Sequence, residues 1–162
     1  MALDFSTIAT GMPQAVPMVG TLGIVFDEVT PTRAVTHMPD QPPYHNHIGG
    51  LHAGAMFTLG ETTAGALVLG HFGDMLDNAT PLAVEATIRF LKVARGVVTA
   101  VATLDVDAAE LRAQVKAGER PEFTVNVELT TVQPDGSLLQ TGAMSVLWTV
   151  KPHRKPESAP TA

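Results

Sequence analysis

Asn46-His47-Ile48-Gly49-Gly50-Leu51-His52-Ala53-Gly54, continued by an apolar run to Gly70 with Glu61 two turns in, is the stretch that decides how this chain folds. A polar, glycine-rich loop passes straight into a segment that is apolar almost all round. Such a segment reads as a helix over Leu51 to Gly70, buried on most of its faces. Its glycines at 54, 60, 65 and 70 lower helix propensity, but they let other backbone come close. A helix start offers N–H groups without an intrahelical acceptor and the positive end of the macrodipole. Those are the means of holding an oxyanion. A poorly solvated carboxylate on the same helix is a candidate base or nucleophile.

Working outward, Phe5 to Val19 has spaced apolar residues interrupted by Gly11, Pro13 and Pro17, and reads as a short helix followed by a turn. Thr21 to Val29 and Thr32 to Met38 have β-type composition, with turn signals at Asp27-Glu28 and Thr30-Pro31. Asp40 to Gly50 is loop. Beyond the helix, Ala79 to Val93, Val97 to Asp107, Glu122 to Val132 and Leu138 to Val150 are long β-rich segments. Alternation shows in Leu82, Val84, Ala86, Ile88 and Phe90, and again in Val125, Val127 and Leu129. Arg95-Gly96 and Pro134-Asp135-Gly136 are turns. Ala108 to Gly118 reads as a short amphipathic helix with a C-terminal glycine. Two strands, one buried helix and four long strands predict an α+β architecture: a long antiparallel sheet curled around a single central helix. We expect one domain over residues 1–151, with a short N-terminal helix and a helical insertion at 108–118, and a flexible polar tail over 152–162.

Composition narrows the function classes. Hydrophobic residues at 45% and charged residues at 16% describe a globular chain, not a disordered one. The absence of cysteine excludes a disulfide framework and cysteine-ligated zinc. A net charge of −6 argues against a general nucleic-acid binder. Met1 to Gly20 lacks a basic start and carries Asp4, so it does not read as a signal peptide. Glu61 in the middle of the longest apolar run argues against a membrane span. A cytoplasmic protein is the expectation.

The order of elements, with Asn-x-x-Gly-x-x-His-x-Gly before the helix and an acid inside it, resembles the hotdog-fold thioesterases of the PaaI type. The matching residues are Asn46, Gly49, His52-Ala53-Gly54 and Glu61. Phe90-Leu91-Lys92-Val93-Ala94-Arg95-Gly96 is similar to a second stretch of that family, the Phe-Leu-basic-x-Ala-x-x-Gly end of the strand after the helix. The resemblance covers roughly residues 20 to 150. Two departures bear on substrate shape: Ala53 stands where the family has the first glycine of His-Gly-Gly, and the 108–118 segment enlarges a connection. The resemblance implies hydrolysis of acyl-CoA thioesters in sites shared across a homodimer or homotetramer. It implies no cofactor beyond the coenzyme A of the substrate.

Each candidate residue also has a plain structural reading. Glu61 could end in a salt bridge to Arg89 or Arg33; as a functional group it would activate water or attack the thioester carbonyl. Ala53 and Gly54 could be mere small residues at a helix start; functionally their N–H groups would polarise that carbonyl, a role the resemblance implies mainly for Ala53. Asn46 could cap a turn; the resemblance makes it orient the carbonyl or the water. His52 could be structural, and the resemblance implies a supporting place beside the thioester. Gly49 and Gly50 in the loop, and Thr62 on the helix, are candidates for substrate contact, although Thr62 and Thr63 suit bonds back to their own helix. Lys92 and Arg95 become candidates for the phosphates of coenzyme A. His45, His47 and His52 raise a metal site, but no acid follows at the spacing a cupin-type centre uses, and no metal is expected.

Geometry makes a demand of its own. Gly54 and Glu61 share a helix face, roughly 10 Å apart along the axis. One chain cannot bring both to a single carbonyl carbon. A second, antiparallel copy of the helix would place its start opposite Glu61, and a two-fold dimer supplies it. Competing readings are an acyl-thioester hydratase or dehydratase, whose His-x4-His-Phe-x-Gly pattern is missing, and a non-catalytic acyl-thioester-binding protein, which would be expected to lose the acid or the loop.

Overall fold

A computed structural model describes residues 5–153. Its elements, in chain order, are α1 (Phe5–Ala15), α2 (Pro17–Thr21), β1 (Val25–Val29), β2 (Arg33–Met38), α3 (Ala53–Phe72), β3 (Ala79–Phe90), β4 (Val98–Thr103), α4 (Ala108–Lys116), β5 (Glu122–Val132) and β6 (Leu138–Pro152). The six strands form one antiparallel sheet in the order β1-β2-β4-β5-β6-β3. The sheet wraps α3, as the order of segments predicts.

Alternation along β5 is clean: Phe123, Val125, Val127 and Leu129 point inward and are buried, while Thr124, Asn126 and Glu128 are exposed. Met144, Val146, Trp148 and Val150 on β6, and Val98, Ala100 and Ala102 on β4, complete the cradle. Leu59, Leu67, Val68 and Phe72 of α3 fill it. Removing one such side chain, as in Leu59→Ala, costs about 2–5 kcal/mol. Gly60 explains why a glycine is tolerated inside this helix. A Cβ there would lie 2.6 Å from the sulfur of Met144, so a larger residue would have to displace that side chain.

Several boundaries differ from the expectation. The helix begins at Ala53, two residues later than expected, because His52 caps it. The first helical turn region is more helical than its prolines suggest: α1 runs through Gly11 and Pro13, and α2 starts on Pro17, where a missing N–H costs nothing. Pro152 belongs to β6, opposite Ala79, and His153 donates its N–H to Asn78. These two residues were expected in the tail; the rest of that tail, and residues 1–4, lie outside the described residues.

The insertion is a true helix. Asp107 caps it, its Oδ1 accepting the Ala109 N–H at 2.8 Å, and Leu111 and Val115 are its buried face.

The sheet has two unequal edges. β1 is five residues long and carries a bulge between Phe26 and Glu28. β3 is twelve residues long and among the described residues pairs only with β6, so its outer side offers a row of backbone groups without partners there. Leu82, Val84 and Phe90 on it are exposed, although their alternation reads as a buried face. An edge of this length is normally shortened, charged or covered.

Candidate active site

The loop before α3 is held by one side chain. Asn46 Oδ1 accepts the N–H groups of Ile48 and Gly50, each at 3.1 Å, and its Nδ2 donates to the Leu51 carbonyl at 3.4 Å. The loop then docks on the segment that follows β3: Leu51 N–H donates to the Ala94 carbonyl at 2.7 Å. Gly50 is required at this contact, because a Cβ there would meet Val93 and the Ala94 carbonyl at 2.7 and 2.8 Å. Arg95 donates to the Gly49 carbonyl at 3.2 Å. The two stretches that carry the resemblance are therefore in contact, across a groove of about 340 Å³ lined by Asn46, Leu51, Ala53, Met56, Phe90 and Lys92 among others. Asn46 and Lys92 are its polar side chains, and Leu51, Met56, Phe90, Leu91 and Val93 its larger apolar ones.

The helix start differs from the expectation in one respect. His52 is the N-cap, and its Nδ1 accepts the Gly54 N–H at 3.0 Å. A neutral imidazole that accepts at Nδ1 carries its proton on Nε2. Gly54 therefore spends its N–H inside the cap. Ala53 N–H, at the first helical position, has no acceptor among the described residues, and it is a donor free to meet a ligand.

Glu61 is half-buried. Arg33 pairs with Glu28, and neither Arg33 nor Arg89 reaches Glu61. Among the described residues Glu61 has no hydrogen-bond or ion-pair partner. Burial pushes its carboxyl above the usual glutamate range, since desolvation penalises the charged form and nothing nearby compensates it. A carboxylate in this state is a better base than a solvated one.

Ala53, Gly54 and Phe57 are exposed and Glu61 half-buried along a strip of the first turns of α3, whereas residues 62–68 are all buried. Phe57, 37% exposed, lies between the other groups and was missed by sequence reasoning. Its spacing was the available signal: it is four residues from both Ala53 and Glu61. Thr62 is on the far side, 3% exposed and inside the core. Thr63 bonds back to the Leu59 carbonyl and to Thr36, both at 2.6 Å. The histidines are dispersed in role: His45 pairs with Asp40 at 2.6 Å, His47 is exposed and His52 caps the helix. Among the described residues no three His, Asp or Glu side chains are grouped to hold a metal. No helix among them is long and apolar enough to cross a membrane.

A family model described as Domain of unknown function (DUF4442) matches residues 6–146, and the chain belongs to that family. No curated protein matches it. Among solved structures, it is similar to a Pseudomonas aeruginosa protein described as of unknown function and a probable thioesterase. The TM-score is 0.77 at 26% identity, over 94% of this chain and 99% of that one. It is also similar to a thioesterase family protein from Silicibacter pomeroyi, with a TM-score of 0.73 at 20% identity over 93% and 100% of the two chains. The PaaI protein of E. coli, from the phenylacetic acid degradation operon, superposes with a TM-score of 0.66 at 18% identity over 94% of each chain. The fold is the hotdog fold of the thioesterase family, as the residue pattern predicts.

Proposed function

We propose that this member of the DUF4442 family hydrolyses acyl-CoA thioesters as a homodimer, with each site built from two chains. The observation that carries the reading is the open strip of α3: a half-buried Glu61 without a partner, and an Ala53 N–H without an acceptor, on one face of one helix. Eight residues separate them, about 12 Å along the axis, which is too far for one carbonyl. Pairing of two β3 edges would cover the unpaired row of backbone groups and set two copies of α3 antiparallel. The thioester oxygen then accepts from Ala53 N–H of one chain. Glu61 of the other takes a proton from water as that water attacks the carbonyl carbon, or attacks the carbon itself to form an anhydride that water then cleaves to the free acid. The thiolate of coenzyme A leaves and is protonated. The groove between the loop and the segment after β3 suits the pantetheine arm, with Lys92 among its lining residues for phosphate. The names of the similar structures support the reaction class.

Release of free thiol from a panel of acyl-CoA thioesters tests this. The wild type should hydrolyse at least one of them, and Glu61→Gln, which keeps shape and removes the base, should lower kcat by roughly 10² or more with the fold retained. Normal turnover by Glu61→Gln removes the assignment; no turnover of any thioester by the wild type favours a binding protein.

A further inference from the structure

The position of Phe57 has a consequence that rests on the proposed two-chain site. If Ala53 of one antiparallel helix faces Glu61 of the other, residue i of one chain faces residue 114 − i of its copy, because 53 and 61 sum to 114. Only position 57 then faces itself. The same residue is central around the helix. At about 100° per residue, Glu61 is roughly 80° from Ala53 and Phe57 roughly 40° from each. Phe57 is thus midway between the two groups both along the axis and around it, and it is open to solvent in the single chain.

We propose that Phe57 stands on the two-fold axis against its own copy, and that the ring pair is a shared wall that limits the size of acyl group either site accepts. Each reacting carbonyl would be about 6 Å along the axis from the pair. Side chains on a helix lean toward its N-terminus, so each ring leans toward its own Ala53, over the ground an acyl group would otherwise fill. The wall belongs to both sites at once, and one substitution opens both.

The chain has no cysteine, so Phe57→Cys introduces the only thiol. Helices packed about 10 Å apart, with Cα atoms about 2.3 Å from each axis, bring the two copies of position 57 to roughly 5 Å, within disulfide reach. With copper phenanthroline as oxidant and dilute protein, Phe57→Cys should run as a covalent dimer on a non-reducing gel. Ile48→Cys, exposed but off the axis, should run as a single chain. Linking at 48 but not 57, or at neither, overturns the placement. In the acyl-CoA panel, Phe57→Ala should raise the kcat/KM ratio of bulky to short acyl groups by about tenfold or more, the scale on which pocket size discriminates. Phe57→Leu should fall between the two, and it carries the test if Phe57→Ala fails to assemble. An unchanged ratio overturns the wall. Cross-linking at 57 with no hydrolysis by the wild type would remove the thioesterase reading alone; hydrolysis without cross-linking would remove this placement and the two-chain site with it, and leave the reaction class standing.

Discussion

The two ends of α3 are finished in opposite ways. At the C-terminal end the His71 ring, the His71 carbonyl and the Asp74 carboxylate all have partners. His71 donates from Nε2 to the Pro31 carbonyl at 2.6 Å and lies edge-on to Phe5, ring centres 5.4 Å apart. Arg112 reaches across from α4 to the His71 carbonyl and forks onto both oxygens of Asp74 at 2.7 Å. That bond holds the Asp74 carboxyl below its usual range, and burial holds the His71 imidazole below its own. Four segments are tied there. At the N-terminal end, Ala53 N–H and Glu61 stay unmet among the described residues. The difference separates stability from chemistry on one element: the satisfied end anchors the helix, so that the unsatisfied end can remain in place without partners of its own.

The largest effect that would break this comparison comes from mixing chains. Glu61→Gln removes one half of a site and Ala53→Pro the other, and proline is accepted in a first helical turn. Each variant alone should lose roughly 10² in kcat. Co-expressed under two tags, mixed dimers hold one site with both lesions and one with neither. Purified mixed dimers should recover up to about half of wild-type activity, since one intact site in two remains. No recovery from folded mixed dimers would place both groups of a site in one chain.

Next in size are the two cations beside the loop. Lys92 lines the groove, whereas Arg95 is bonded to the Gly49 carbonyl. Lys92→Ala should raise KM for acyl-CoA by roughly tenfold, about the loss of one charge-assisted bond, and leave a truncated thioester without the nucleotide almost unaffected. Arg95→Ala should weaken both substrates, because it loosens the loop. Equal behaviour of the two variants would remove the distinction between phosphate contact and loop support.

At the satisfied end the expected effect is on stability only. Arg112→Ala deletes a partly exposed fork and leaves Asp74 and the His71 carbonyl unpaired, at a cost of about 1–2 kcal/mol. In a domain of this size that is roughly 2–8 °C in Tm, with kcat unchanged. A fall in kcat with no change in Tm would show that the two ends are not separate.

These contrasts were legible in the sequence to different depths. The buried helix, the six strands and the turns at Thr30-Pro31 and Pro134-Asp135-Gly136 followed from periodicity and turn residues, whereas Asp27 and Glu28, read as a turn signal, lie inside β1 at its bulge; β5 has the bounds its alternation predicts, Glu122 to Val132. Long elements with one consistent period leave little freedom. The position of β3 at the sheet edge was not legible, since pairing order is set by contacts far apart in sequence. Nor was the use of Gly54 by its own cap. That depends on a single histidine rotamer, which spacing does not encode. The ties of Asn46 to its loop were legible as a turn cap, and Arg95 shows why composition misleads: a cation next to a phosphate candidate can be spent on a carbonyl.

The smallest effect is also the most direct measure of how far Glu61 lacks a partner. Its carboxyl is raised in the folded chain by burial, while in the unfolded chain it titrates as an ordinary glutamate, near 4.3. Below that value both states are protonated and the group is neutral for stability. As pH rises through the interval up to the folded value, the native state holds more protons than the unfolded one, and stability is lost. Above the folded value the loss stays constant. Glu61→Gln cannot titrate, so its Tm relative to wild type should climb through that interval and then level off. Melts of both proteins from about pH 4 to about pH 8 bracket the change. Because the base must be ionised to act, wild-type kcat/KM should rise over the same interval in which the Tm difference grows. A Tm difference that is flat, or that shrinks as pH rises, would mean that Glu61 has found a partner that the single chain lacks, and would move the search for the base to another residue of the strip.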